Sequence, residues 1–363
     1  MLREYFYNLA SEKVNSVFAS FVKFILFLLS LVYSLAVKFI FYAYKSNILR
    51  TYYLNCKVIS VGNITWGGTG KTPIVEMIAN KLIKEGRKVA IQSRGYKRKK
   101  TPQNSRLETA DYRTMGDEPF MLQENLNEIP VIVGKNRVLE AKLALERLNL
   151  DVVILDDGFQ HWKLFRDLDI VAIDATNPFG KGFLIPRGIL REPLKGLKRA
   201  DIFLLTHTDS AKDNLNSLIQ RLEEINPKAE IFESIHSPIG FYNILDTQKK
   251  IINTNLIKGK KIGIVTAIGN PASFKESVLN LGLNVSLKFI FLDHHEFSQD
   301  DFDRIITSCL KEGLSTLVTT AKDATRLRKY CLDFRDVDIL VLRIEIKITK
   351  NEDKFFNRLF SLY

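Results

Sequence analysis

The segment KVISVG (57–62) runs into NITWGGTGKTP (63–73), and the residues that follow, IVEMIANKLIKEG, repeat their apolar positions at helical spacing. A strand, a glycine loop and a helix in that order leave few alternatives for the fold. Glycines let successive backbone N–H groups converge on phosphate oxygens, and the start of the helix adds the positive end of its dipole. Lys71 is placed to neutralise β/γ-phosphate charge and Thr72 to ligate Mg2+, so Gly67, Gly68, Thr69, Gly70, Lys71 and Thr72 form a candidate nucleotide site. Pro73 suits the first helical turn, where its missing N–H would be unpaired anyway. The loop departs from the GxxxxGK[ST] form in that Thr65 stands at the first glycine position.

From Lys57 onward, β-branched runs at 57–62, 87–93, 130–134, 152–157, 169–174 and 201–206 alternate with helical stretches, which predicts a parallel sheet. A polar helix over 210–225 and a connector from Asn226 to Lys250 precede a second series at 261–268, 285–292, 316–320 and 339–348. With 363 residues, 46% of them hydrophobic, two domains are expected. The fold class is α/β: a P-loop NTPase-like parallel-sheet domain over 46–235, a smaller second α/β domain over 236–363 contributing to a substrate cleft, and an N-terminal amphipathic membrane helix within 1–45. Cys56, Cys309 and Cys331 are scattered without ligand spacing, which argues against a disulfide framework or a zinc site.

The N-terminal segment 14–44 is rich in Phe, Leu, Ile, Val and Tyr. Its longest uncharged stretch, Phe24 to Val37, makes about 21 Å of helix, short of a roughly 30 Å hydrocarbon core. On a helical projection Lys13, Ser16, Ser20, Lys23, Ser30, Ser34, Lys38 and Lys45 share one sector, with Phe27 and Phe41 as intruders. Such a helix suits the plane of a membrane surface, its lysines snorkelling toward lipid phosphates. A monotopic anchor is expected ahead of a true span or a cleaved signal peptide. The net charge of +12 points to anionic partners, and an anionic membrane surface is one of them.

The strand VVILDDG (152–158) ends in Asp156 and Asp157, the form expected of a second metal-binding element beside a P-loop. Taken singly, the turn SRGY (93–96), the sequence GDEP (116–119), the triplet FQH (159–161), Arg187, REP (191–193) and DHH (293–295) read as turns, caps and solvated loops sooner than as catalytic groups.

Their order reads differently. VGNITWGGTGKTP, SRGYKRK, GDEPFML, DDGFQHWKLFRDLDI, LIPRGILREPL, AIGNPASF, FLDHHEFS and TTAKDATRL together resemble the tetraacyldisaccharide 4′-kinase family, over nearly the whole chain from Lys57 to about Leu327. Leu292 stands where that family often has Pro, and Ala321 where an acidic residue is usual. The resemblance implies transfer of the ATP γ-phosphoryl group, with Mg2+, to the 4′-hydroxyl of an acylated disaccharide 1-phosphate lipid, forming lipid IVA. The place of work would be the cytoplasmic face of the bacterial inner membrane, with a peripheral or monotopic attachment.

It also implies residue roles. Asp117 and His294 match a catalytic pair near the attacking hydroxyl, with His295 as the alternative histidine, and Lys71 completes the catalytic set. Asp156 and Asp157 match metal-associated carboxylates, joined by Thr72 and by Glu192, another acidic active-site position. Arg94, Tyr96, Gln160 and Arg191 are implied for the substrate. With Lys71, Asp117 and Asp156 in the first domain and His294 in the second, the pair meets only if the domains face each other across a cleft, so closure on ATP is expected. A membrane-associated P-loop switch or targeting factor is the alternative, and no NKxD tetrapeptide is present downstream to read guanine. A nucleic-acid binder, resting on the charge and on KRKK at 97–100, ranks last. No obligate protein partner is expected.

Overall fold

The computed structural model describes residues 17–95, 115–126, 129–293, 295–332 and 336–363. In chain order the elements are α1 (Val17–Lys45), β1 (Lys57–Gly62), α2 (Lys71–Lys84), β2 (Val89–Ser93), α3 (Asp117–Asn125), β3 (Val131–Val133), α4 (Arg137–Leu148), β4 (Val152–Asp156), β5 (Leu168–Asp174), β6 (Ile202–Thr206), α5 (Lys212–Ile225), β7 (Glu230–Asn243), β8 (Lys261–Thr266), α6 (Pro271–Asn280), β9 (Asn284–Ile290), α7 (Gln299–Lys311), β10 (Thr316–Thr320), α8 (Ala321–Leu327), β11 (Asp338–Ile348) and α9 (Glu352–Phe360).

The chain forms two compact units. Unit 1 comprises Met1–Arg94, Leu126–Ile235 and Ile346–Tyr363, and unit 2 comprises Gly95–Asn125 and His236–Glu345. The division is not two consecutive segments: α3 goes with unit 2, and the C-terminal helix α9 returns to unit 1. Phe355 of α9 packs edge-on against Phe232 of β7, with ring centroids 5.2 Å apart.

The sheet of unit 1 runs in the order β3-β2-β4-β1-β5-β6-β7 with parallel neighbours. β1, β4 and β5 are buried along nearly their whole length, as the continuous apolar runs of a two-sided parallel sheet require. Unit 2 orders its strands β11-β10-β8-β9, again parallel. The connector expected over 226–250 is in fact largely the 14-residue strand β7. Pro238 and Gly240 interrupt its pattern, and a proline without an N–H and a glycine at φ 150° both disguise a strand in sequence.

Helix α1 docks on unit 1 through Ser30 and Ser34 of its polar sector and through small residues beside them. Ser30, Ser34, Ala19 and Ala43 are buried, while Phe18, Phe21, Phe24, Val32, Leu35 and Phe39 are exposed, Phe39 by 76%. Small side chains let the helix approach closely, and the Ser30 hydroxyl satisfies itself on the Phe27 carbonyl at 2.7 Å. The two aromatic intruders are the docking contacts. Phe27 meets Phe183 edge-on, and Phe41 meets Trp162 edge-on with the Arg199 guanidinium 5.1 Å from its ring centroid. Between them the Tyr33 hydroxyl donates to the Arg191 carbonyl at 2.7 Å.

At the C-terminal end of β1, Gly62 lies against the backbone of Phe159: a Cβ there would stand 2.6 Å from the Phe159 nitrogen and 2.5 Å from its Cβ. Gly62→Ala should therefore destabilise the protein by about 1–3 kcal/mol, the usual range for overpacking a rigid core. Chemical denaturation checks this as a lowered midpoint at unchanged slope.

Candidate active site

The glycine loop emerges from β1 at the middle of the unit 1 sheet, between β4 and β5. Ligand sites of parallel sheets gather beyond the carboxyl ends of such strands. Gly67 and Gly70 take positive φ, 129° and 77°, and Gly70 caps α2 in the left-handed region, so both positions favour glycine. A Cβ at Gly67 or Gly68 would meet nothing within 4 Å, which leaves the inner side of the loop open at a helix N-terminus.

The loop is held from outside. The Asn63 amide donates to Thr69 Oγ1 at 3.0 Å, and the Thr206 hydroxyl donates to the Thr69 carbonyl at 3.3 Å. The Trp66 N–H donates to the Ile189 carbonyl at 2.6 Å and the Arg191 N–H to the Ile64 carbonyl at 2.8 Å.

β4 brings the acidic pair alongside. The Gly158 N–H donates to the Val61 carbonyl at 3.2 Å, and a Cβ on Gly158 would lie 2.6 Å from Ser60 Oγ, so the turn after β4 can sit this close only with glycine there. Asp157 itself adopts φ 54°, a conformation that Asp tolerates better than most residues. Its Oδ1 is 3.4 Å from Lys71 Nζ, and Arg191 donates to both its oxygens at 2.7 and 2.9 Å. Burial alone would raise the Asp157 pKa, but Lys71, Arg191 and Arg137 outweigh it and hold the carboxyl far below the ordinary range. Asp156 is buried and accepts from the Ser93 hydroxyl at 3.0 Å.

Sequence reading passed over Arg137. Its buried guanidinium donates to the carbonyls of Asp156 and Asp157 at 2.9 and 3.2 Å and so fixes the turn that carries both carboxylates. The available signal was a basic residue at the first position of α4, the end where a helix dipole disfavours cations.

Glu192, expected from sequence at a metal, is buried among polar partners. Arg199 donates to both its oxygens at 2.9 Å and Gln160 to one at 3.0 Å, so this buried carboxylate is taken up as the counter-charge of Arg199. Gln160 also donates to the Asn63 carbonyl at 2.8 Å and accepts from Arg191 at 3.3 Å, which ties the turn after β4 to the glycine loop. Arg94 is exposed just after β2. Tyr96, the KRKK run and His294 lie outside the described residues.

Asp117 was placed with the P-loop domain, but α3 belongs to unit 2, the same unit as the DHH segment. The pair named from sequence therefore does not have to be assembled from two units. Asp117 Oδ2 lies 3.7 Å from the Arg326 guanidinium. His295 is committed to Asp301 by a 2.9 Å contact from its Nε2.

The donors present suit Mg2+. Among the described residues there is no group of three or more His, Cys, Asp or Glu that could hold a metal. Mg2+ ordinarily takes one or two carboxylates and fills its remaining positions with phosphate oxygens and water. A hydroxyl at Thr72 and carboxylates at the end of β4 are a donor set of that kind.

A central strand that ends in an open glycine loop, with a lysine at the helix start and an acidic strand end beside it, defines a nucleotide-binding domain of the P-loop class. The chain belongs to the tetraacyldisaccharide-1-P 4′-kinase family, whose LpxK family model matches residues 22–362. It is 38% identical to the tetraacyldisaccharide 4′-kinase of Halothermothrix orenii over 97% of this chain and 96% of that one. The same figure holds for the enzyme so named from Elusimicrobium minutum, over 92% and 89%. Among solved structures, LpxK from Aquifex aeolicus, crystallised in complex with ATP, superposes with a TM-score of 0.69 at 28% identity, covering 93% of this chain and 99% of that one.

His161, in the same turn as Asp157, has its pKa pushed down to about 4 by burial and, in the same direction, by Arg137, Arg166, Lys163 and Arg94. A histidine kept neutral in this way contributes stability that is fully present above its ordinary 6.5 and is lost as pH falls toward about 4, because the unfolded chain takes up the proton first. Unfolding in urea should therefore show wild type losing more stability than His161→Gln between about pH 7 and about pH 4.5.

Proposed function

We propose that the chain is an ATP-dependent kinase that phosphorylates the 4′-hydroxyl of tetraacyldisaccharide 1-phosphate to form lipid IVA. The observation that carries this reading is a P-loop with its acidic strand end in a chain that belongs, nearly end to end, to the lipid 4′-kinase family. A P-loop switch or targeting factor is not favoured, because the family match extends well beyond the nucleotide-binding elements.

In this reading the amides of Gly67, Gly68, Thr69 and Gly70 surround the ATP phosphates. Lys71 balances charge as the bond to the γ-phosphorus loosens, and Arg191 lies beside it through their shared partner Asp157. Thr72, Asp156 and Asp157 would hold Mg2+, which supplies charge neutralisation on the phosphate oxygens. Asp117, partnered by His294, orients the sugar hydroxyl and takes its proton; a hydroxyl is a weak nucleophile at neutral pH, and such a base supplies about 10²–10⁴-fold. Arg94, Tyr96 and Gln160 would contact or frame the lipid headgroup.

We read the place of work as the anionic cytoplasmic face of the inner membrane, and α1 supports attachment to a membrane surface. Its exposed face is almost wholly Phe, Leu, Val and Ile, its opposite face is taken up by unit 1, and the chain carries a net charge of +12. An acylated substrate stays in the bilayer, so an enzyme lying on that surface meets it there.

Purified protein given Mg-ATP and tetraacyldisaccharide 1-phosphate should yield a product heavier by one phosphate in mass spectrometry, and no such product would refute the reading. Lys71→Ala and Asp156→Ala should each reduce turnover by about 10²-fold or more with the fold intact by circular dichroism. Asp117→Ala should lower kcat by a similar factor while leaving ATP affinity within about threefold. Replacing Phe21, Leu28 and Leu35 of α1 with Ser should leave the melting temperature close to wild type and strongly reduce co-sedimentation with anionic vesicles.

A further inference from the structure

The segment TTAKDATRL (319–327) has no role in the reading above, yet it supplies two buried charged side chains, Asp323 and Arg326. Asp323, fully buried, accepts from the Ala267 N–H at 2.9 Å and from the hydroxyls of Thr320 and Thr266 at 2.8 and 3.2 Å, which fastens α8 to the end of β8. It also pairs with Arg326, whose side chain is 1% exposed. A guanidinium buried this deeply needs partners for its charge. Beyond Asp323, Arg326 reaches two functional segments, donating to the His295 carbonyl at 2.8 Å and lying 3.7 Å from Asp117 Oδ2, while its Nε has no hydrogen-bond partner among the described residues.

Lys322 repeats the pattern one helical turn earlier. Its Nζ lies 3.3 Å from Glu118 Oε1 and 3.5 Å from Asp293 Oδ1. Residues four apart project from the same face of a helix, so both cations reach the same pair of targets. Each bridges the GDEP segment at the start of α3 and the DHH segment, and together they hold both chain neighbours of position 294.

We propose that Lys322 and Arg326 are positioning residues that clamp the GDEP and DHH segments in register, so that the base-bearing start of α3 and the segment carrying position 294 act as one rigid piece. A buried ion pair serving only the core would close on itself at Asp323. Here the second arm of Arg326 and the ammonium of Lys322 reach the two segments. The inference rests on the kinase reading for its catalytic consequence, although the clamp itself is a property of the fold.

Arg326→Met would leave Asp323 buried and unpaired and would test folding, so Lys322, partly exposed, is the informative site. In the full-length protein, Lys322→Met should lower kcat by about tenfold to a hundredfold, the cost of misplacing a reacting group by roughly an ångström, with the KM for ATP changed by no more than about twofold. Lys322→Arg should recover most of the loss. Hydrogen exchange followed by mass spectrometry should show amides of 117–119 and 293–296 exchanging faster together in Lys322→Met, with β4 and α2 unchanged.

Wild-type kcat in Lys322→Met, in a preparation whose wild type transfers phosphate, would overturn the proposal. So would unchanged exchange in both segments. If the wild type transfers no phosphate to the lipid disaccharide, the kinase reading falls instead, and the exchange data alone decide the clamp.

Discussion

One carboxylate governs the functional end of unit 1. Lys71 and Arg191 both converge on Asp157, and two cations brought this close in a half-buried setting need a counter-charge between them. The backbone is shaped to deliver it. Gly62 and Gly158 let the turn after β4 come to van der Waals distance of β1, Asp157 takes a left-handed conformation, and the buried Arg137 holds the carbonyls of both aspartates. The glycine loop, the acidic strand end and the REP segment are therefore parts of one charge-balanced assembly.

The N-terminal helix is joined to that assembly. Tyr33 donates to the Arg191 carbonyl, and Phe41 rests on Trp162 and on Arg199, the partner of Glu192. Ser30 and Ser34 are buried in the docking face, while Lys38 and Lys45 of the same sector stay exposed. The docking surface uses small residues for close approach and aromatic rings for area, and the apolar face is left outward.

Much of the architecture was legible in the residue pattern. The strands of both units fall within a residue or two of their expected bounds, and Lys71 and Asp157 meet as the loop and strand motifs imply. What escaped has identifiable causes. β7 was hidden by Pro238 and Gly240. The docking contacts of α1 could not be read from its pattern, because an amphipathic pattern states that two faces differ without stating what each meets. That Arg199 lies against Glu192 could not be read from the sequence, because the two charges meet only in the fold.

Local grammar alone determined the glycine loop, the parallel strands that feed it and the apolar helix, because φ preferences, side-chain period and hydropathy act between near neighbours in the chain. Only the tertiary structure decided that α3 leaves its sequence neighbours for unit 2. There Arg326 and Lys322 take hold of its start, and Arg328 and Lys249 of its end at Glu124. Those ion pairs join residues more than a hundred positions apart, and a charged side chain carries no mark of its partner until folding brings the two within reach of each other.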